Sequence, residues 1–118
     1  MKTHLARDLT ELESQLSSLG ELVIDSVQCA IDAIGSFDLE KVARIGENEK
    51  RINEMEISIE QNCLKIIALH QPVATDLRFL IVVLKVNNDL ERIADQAVNI
   101  GARIQFLYDR PRIPVDLH

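Results

Sequence analysis

The sequence is poor in aromatic residues, glycine and proline. Of 118 residues only 3% are aromatic, none is Trp, and just four Gly and three Pro occur. Folds made of short strands need frequent turn residues and favour aromatic side chains in their sheets. Because 47% of the chain is nevertheless hydrophobic, the composition favours one all-α domain packed by Leu, Ile, Val and Ala.

Three other absences narrow the functional class. No apolar run approaches the roughly 18 residues of a membrane span, and residues 1–12 lack the apolar centre of a signal peptide. We therefore expect a cytoplasmic protein without a transmembrane segment. The net charge of −6 argues against a nucleic-acid-binding surface. Two cysteines, Cys29 and Cys63, are too few and too far apart for a disulfide framework or a CxxC zinc site.

Apolar residues recur every three to four positions along most of the chain, which is typical of amphipathic helices. The spacing predicts a domain over residues 1–110 with helices at about 4–35, 38–69 and 73–108, and a tail or linker over 111–118. Gly35 is expected to stop the first helix, with Ser36 or Asp38 as the next N-cap. Pro72 is expected in the first turn of the third helix. The stripe of the first helix comprises Leu5, Leu9, Leu12, Leu16, Leu19, Val23, Val27, Ala30 and Ile34.

Three helices of this size joined by short connections must pack antiparallel to their neighbours. The predicted fold is an elongated up-down-up three-helix bundle, each helix roughly 45 Å long. Position i of the second helix then faces about position 143 − i of the third. Position i of the first helix faces about position 73 − i of the second, so Cys29 and Cys63 lie about 28 Å apart along the axis, and both are expected to be free, buried thiols.

Polar side chains follow one line on each of the last two helices. The predicted register places Glu49 and Asn53 at the height of Glu91 and Asp95. Carboxylate and amide oxygens favour hard cations, so these four residues are a candidate site for iron, Mn, Mg or another divalent ion such as Zn. Spacing does not fix helix rotation, and ordinary solvated faces with nearby basic residues remain the alternative. The full lines comprise Glu49, Asn53, Glu56 and Glu60 on the second helix, and Asn88, Glu91, Asp95 and Asn99 on the third.

The residues give no support for catalysis. No nucleophile–base pair, glycine-rich phosphate loop or organic-cofactor motif is present. His4, His70 and His118 have no ligand spacing, and each is expected to be an exposed polar residue. A carboxylate-bridged metal oxidase would need Glu-x-x-His pairs, which the sequence lacks. We therefore expect a protein that is not an enzyme.

Two motifs resemble the signature of the PhoU family. They are residues 70–78 (HQPVATDLR), and residues 90–95 (LERIAD) followed by Asn99 and Ile100. Residues 49–56 (EKRINEME), with Ile59 and Glu60, resemble the second-helix motif of the same family. The resemblance implies an all-helical, non-catalytic regulator of phosphate uptake and phosphate-starvation signalling. It also implies contacts with a phosphate ABC transporter ATPase and a sensor histidine kinase.

The resemblance further implies that some members hold metal clusters on paired acidic motifs, which fall here on Glu91 with Asp95 and on Glu49 with Asn53. Asn53 departs from the pattern because an acid is usual there, which implies a weaker or smaller cluster. Members usually carry two three-helix repeats, whereas this sequence has one. It therefore corresponds either to a homodimer-forming unit or to half of a two-repeat protein. Asp76 and Arg78 are either parts of a well-formed helix start or partner contacts.

Overall fold

The chain folds into three long helices, seen in a computed structural model that describes the backbone of residues 2–110 and the side chains of residues 4–110. Helix α1 spans Lys2–Ser36, α2 spans Leu39–His70 and α3 spans Ala74–Tyr108. The bundle measures 67 × 23 × 16 Å. The all-α three-helix prediction is confirmed, while the predicted tail over 111–118 lies outside the described residues. Within residues 2–110, no helix is both long enough and apolar enough to cross a membrane.

The first turn shows how the sequence ends one helix and begins the next. Asp38 is the N-cap of α2, and its carboxylate accepts hydrogen bonds from the backbone N–H groups of Glu40 and Lys41 at 3.0 and 3.4 Å. The expected stop at Gly35 is wrong, because α1 continues to Ser36. Phe37 instead takes the left-handed conformation at the helix end, with φ of 54°.

The second turn differs from the prediction in the same way. Gln71 closes α2 in the left-handed conformation, and its N–H donates to the Ile67 carbonyl. Pro72 is buried between the helices, and Val73 is the N-cap of α3. Pro72 therefore precedes the third helix instead of occupying its first turn. Ala74, the first residue of α3, has a positive φ of 52°, which residues other than glycine rarely adopt.

The core runs along the bundle axis in two clusters. The larger cluster contains fully buried side chains from all three helices, and the smaller one lies near the first turn. At Gly101 of α3 an added Cβ would make ordinary van der Waals contact with the Ile45 side chain, at 3.5 Å. The core comprises Leu12, Leu19, Val23, Ile52, Ile59, Cys63, Ile66, Leu80, Val83 and Ala94 in the larger cluster, and Cys29, Ala30, Ile45 and Ala97 in the smaller.

One residue of the predicted α1 stripe is exposed instead of buried, and an isoleucine of α3 is exposed as well. Ile34 of α1 and Ile93 of α3 present about half of their surface to solvent, whereas Ala33 and Ala94 are buried. A helix repeats every 3.6 residues, so a stripe chosen by whole-number spacing drifts off the buried face over several turns. Apolar side chains of α1 and α3 are consequently exposed to solvent.

Candidate functional site

The polar lines of α2 and α3 meet on one side of the bundle. The contact that fixes their relative position is a hydrogen bond from Asn87 Nδ2 of α3 to the backbone carbonyl of Glu56 on α2, at 3.0 Å. Asn87 is buried and lies at the height that the predicted register gives it opposite Glu56. Close to this bond, the charges of Glu60, Glu91 and Asp95 all act on Glu56. We call this surface the acidic face: Glu49, Asn53, Glu56, Glu60, Glu91, Asp95 and Asn99.

Two carboxyl groups lie close together near the centre of the acidic face, those of Glu56 and Glu91. A hydrogen bond between their side chains can form only when one of the two carboxyl groups is protonated. Burial is the largest cause that raises the pKa of Glu56, to about 7, followed by the Glu91 hydrogen bond and the charges of Glu91, Glu60 and Asp95. Ionisation of Glu56 beside these carboxylates is opposed by repulsion, so Glu56 keeps its proton to a higher pH than a free glutamate does.

The structure unites only some of the predicted metal ligands. Glu91 is half-buried beside Glu56, and the charge of the exposed Asp95 acts on the same pair. Glu49 is half-buried and Asn53 is exposed on α2, and within residues 4–110 no hydrogen bond or ion pair joins either of them to α3. Asn99 is exposed. The centre of the face is thus the Glu56–Glu91 pair, and sequence spacing had placed Glu56 only at its margin.

The donor chemistry of the acidic face suits a hard cation, although its side chains are spread out. Among the described residues, no three His, Cys, Asp or Glu side chains converge closely enough to hold a metal ion as they are placed. One observation favours an oxygen-coordinated group nearby. The buried Oδ1 atom of Asn87 has no hydrogen-bond partner, and Asn87 lies one helical turn before Glu91. Carboxylate and amide oxygens are the ligands that hard divalent cations prefer. Bringing them together around one ion would require the exposed side chains to rotate.

Within residues 4–110, no basic side chain forms a close ion pair with the acidic face. The ion pairs found within residues 4–110 join Arg44 to Asp25, Lys41 to Asp32 and His70 to Asp8, all between α1 and α2. The acids of α2 and α3 take part in none of them. The face therefore presents uncompensated negative charge to solvent in this part of the chain.

The other predicted contact residues lie at the end of the bundle formed by the α2–α3 turn. Asp76 is half-buried in a groove lined by Leu5, Leu9 and Pro72, and Arg78 is exposed. The expectation that His70 is an exposed polar residue is wrong. Its side chain is 11% exposed and its Nε2 lies 2.9 Å from a carboxylate oxygen of Asp8. Counting from the first turn places Asp8 level with about position 65, so sequence spacing did not predict this contact.

Both cysteines are free and buried, as predicted. Burial, with the nearby charge of Glu60, raises the pKa of the Cys63 thiol to about 11. Burial also raises the pKa of Cys29, helped by the charge of Asp25. Neither residue is therefore a reactive thiolate, and neither belongs to the acidic face.

Comparisons with known proteins agree with this architecture. A family model described as the PhoU domain matches residues 16–104. A phosphate-specific transport system accessory protein PhoU homolog of Burkholderia is 41% identical over 100 residues, which is 85% of this chain and 43% of the relative. The homolog of Aquifex aeolicus is 33% identical over 91% of this chain and 48% of its own length. The Escherichia coli protein of that name is 37% identical over 79% of this chain and 39% of its own. The chain spans less than half the length of these relatives.

Proposed function

The chain belongs to the PhoU family, and from that premise we propose that it is a regulatory accessory protein of phosphate uptake and phosphate-starvation signalling. It acts in the cytoplasm, without catalysis, through contacts with a phosphate ABC transporter ATPase and a sensor histidine kinase. It works together with a second three-helix unit, either as a homodimer or within a longer chain. The support is the family match and the names of the relatives, which are transport-system accessory proteins.

The observation that carries the mechanism is the uncompensated charge of the acidic face. Glu56 and Glu91 are held against each other although their ionised forms repel, and Asp95 adds a third charge. Such a surface favours any group that brings positive charge. Two kinds of group answer this description, a metal cation and a basic protein surface.

In the first form of the proposal, Glu49, Asn53, Glu91 and Asp95 hold a divalent cation such as iron, manganese, zinc or magnesium. Glu56 and Asn99 extend the same ligand set. When bound, the cation supplies positive charge that neutralises the repulsion among the carboxylates. The residues of this chain supply oxygen donors on two adjacent helices, and Asn87 fixes the distance between those helices.

In the second form, the protein is a metal-free adaptor whose acidic face docks directly on basic surfaces of its partners. The exposure of Asp95 and Asn53 favours this form, because both are reachable by another protein without rearrangement of the bundle. Asp76 and Arg78 provide a further contact at the α2–α3 end. Contacts between exposed charges weaken with salt, over a screening length of about 10 Å at 0.1 M.

The experiment compares two double variants of the untagged protein. Glu91→Ala with Asp95→Ala removes two carboxylates from the acidic face. Glu13→Ala with Glu21→Ala removes two exposed acids from α1 and is the matched control. Each protein is examined by elemental analysis, by circular dichroism and by binding to the purified transporter ATPase at several salt concentrations.

We expect the Glu91/Asp95 variant to lose ATPase binding with its helix content unchanged, and the control to bind as the parent does. Metal near or above one ion per chain in the parent, lost in this variant alone, supports the cation form. Salt-sensitive binding that chelator leaves unchanged supports the docking form. Undiminished ATPase binding by the Glu91/Asp95 variant would show that the acidic face is not the docking surface.

A further inference from the structure

Asn87 carries a buried oxygen atom for which the described part of the chain provides no partner. The residue is 4% exposed, and its Nδ2 donates to the Glu56 carbonyl at 3.0 Å. Its Oδ1 is buried as well and accepts no hydrogen bond from any residue within 4–110. A buried acceptor without a donor is unfavourable, because it has lost its hydrogen bonds to water. An ion or an ordered water molecule is the usual partner of such an atom.

This oxygen lies between α2 and α3, next to the carboxyl groups of the acidic face. The amide that carries it binds the backbone of Glu56, so Oδ1 is held close to that turn of α2. Glu91 follows Asn87 by four residues and therefore projects from the same side of α3, one turn further along. The charges of Glu91, Glu60 and Asp95 all act on Glu56. The unpartnered oxygen and the acidic cluster are thus neighbours in the fold.

The surroundings of Asn87 favour a positive ion over a neutral hydrogen-bond donor. Ionised carboxylates are acceptors only, so the neighbouring acids offer no proton to Oδ1 in that state. Within residues 4–110, no basic side chain forms an ion pair with these acids. A water molecule satisfies two acceptors but leaves the repulsion among the carboxylates in place. A divalent cation attracts the amide oxygen and the carboxylates at the same time.

We propose that Asn87 Oδ1 is a direct ligand of a hard divalent cation that Glu56 and Glu91 also bind. This inference rests on the cation form of the proposed function. It adds to that ligand set a residue that belongs to neither polar line. Amide carbonyl and carboxylate oxygens are typical ligands of Mg²⁺, Mn²⁺ and Ca²⁺.

Asn87 differs from the other ligands because it is already fixed in place. Burial and the hydrogen bond to Glu56 hold its amide between the two helices. Asp95 is exposed, and no three acidic side chains within residues 4–110 converge as they are placed. A ligand that is held in position before binding loses little conformational entropy when the ion arrives. Asn87 therefore supplies the fixed point toward which the more exposed carboxylates turn.

The test measures Mn²⁺ affinity of the untagged full chain, by the electron paramagnetic resonance signal of free Mn²⁺. Asn87→Ala removes the oxygen and is expected to weaken Mn²⁺ binding at least about 10-fold. Asn88→Ala is the matched control, because Asn88 is the neighbouring residue and is exposed. The control should bind Mn²⁺ as the parent does.

Asn87→Asp separates a ligand from a residue that only positions α2. Aspartate keeps a side-chain oxygen at this position, but in its ionised form it cannot donate to the Glu56 carbonyl. As a ligand, it should bind Mn²⁺ at least as tightly as the parent. If Asn87→Asp binds as weakly as Asn87→Ala, Asn87 acts through its hydrogen bond alone and the proposal is overturned.

Circular dichroism before each titration shows whether a variant keeps its helices. Should Asn87→Ala lose helical signal, Asn87→Leu removes the oxygen without leaving a cavity and takes its place. Equal Mn²⁺ affinity of the parent and the variant without the oxygen would overturn the proposal, and would assign Oδ1 to a water molecule. Loss of Mn²⁺ in the Glu91/Asp95 variant would then still support the cation form. A parent that binds no Mn²⁺ would overturn both, while ATPase binding still tests the docking form.

Discussion

The raised pKa of Glu56 makes the stability of the bundle depend on pH. The pKa of Glu56 is raised from 4.5 to about 7 by burial and by the neighbouring carboxyl groups. The folded protein therefore keeps a proton that the unfolded chain releases. For such a group the stabilisation is fully present below pH 4.5, the pKa in the unfolded chain, and is lost as the pH rises through 7.

The magnitude follows from the size of the shift and the burial of the group. A full shift from 4.5 to about 7 corresponds to ~3 kcal/mol of unfolding free energy. Glu56 is only half-buried, so solvent screens part of the interaction, and we expect about 1–2 kcal/mol. Glu56→Gln replaces the carboxyl by an amide that stays neutral and still donates a hydrogen bond to Glu91. This variant should lack the decline and be about 1 kcal/mol more stable than the parent at pH 8.

The assay is urea unfolding at pH 5, 6, 7 and 8, followed by circular dichroism with chelator present. The quantity compared is the difference in unfolding free energy between variant and parent at each pH, since this removes the contribution of all other titrating groups. Glu54→Gln is the control, because Glu54 is an exposed acid on α2 outside the acidic face. If the difference in unfolding free energy between Glu56→Gln and the parent does not change between pH 5 and pH 8, the raised pKa of Glu56 is refuted.

Two further substitutions test the contacts and the helix propensity of α2. Asn48 is buried, and its side-chain amide donates to Asp25 at 2.8 Å and to Ser26 at 3.0 Å. Asn48→Ala should lower the unfolding free energy by about 2 kcal/mol in urea titrations. Asn62→Ala, at a half-buried asparagine, is the control, and a smaller loss for Asn48→Ala than for Asn62→Ala would contradict the prediction. Gly46 is exposed in the middle of α2, and an added Cβ would meet nothing within 4 Å. Gly46→Ala should raise the melting temperature, with a gain of about 1 kcal/mol from helix propensity, and a lower melting temperature would show an unseen backbone constraint.

The sequence was sufficient for the helices and their register because both depend on local and repeating features. Apolar periodicity marked the helices, and short turns left antiparallel packing of neighbours as the available arrangement. The hydrogen bond between Asn87 and Glu56 lies where simple counting from the second turn placed it. The turn details were less predictable. The left-handed positions went to Phe37 and Gln71 instead of glycine, because the tertiary position of the next helix fixes the turn and overrides local preference.

The centre of the acidic face could not be found from spacing because it depends on helix rotation. A rotation of α2 by a few tens of degrees decides whether Asn53 or Glu56 faces α3, and both lie on the same polar line. The structure places Glu56 against Glu91 and leaves Asn53 exposed. The hydrogen bond from the buried Asn87 amide to the Glu56 carbonyl favours this rotation of α2. A buried asparagine within an apolar stripe was the available sequence signal for that contact.

Helix α3 carries carboxylates on one flank and exposed apolar side chains on another, and the two flanks affect the stability of the bundle in different ways. Its flank toward α2 carries Glu91 and Asp95, whose repulsion with Glu56 opposes close packing of α2 and α3 at high pH. Its other flank carries Ile93, whose exposure is an unfavourable hydration term in an isolated unit. Any positive charge bound at the acidic face removes the first term and so stabilises the α2–α3 contact. It leaves the unfavourable hydration of Ile93 unchanged, because Ile93 lies on a different flank of α3 and stays exposed. The free energy of binding at the acidic face should therefore add to that of covering Ile93, provided that α3 does not rotate.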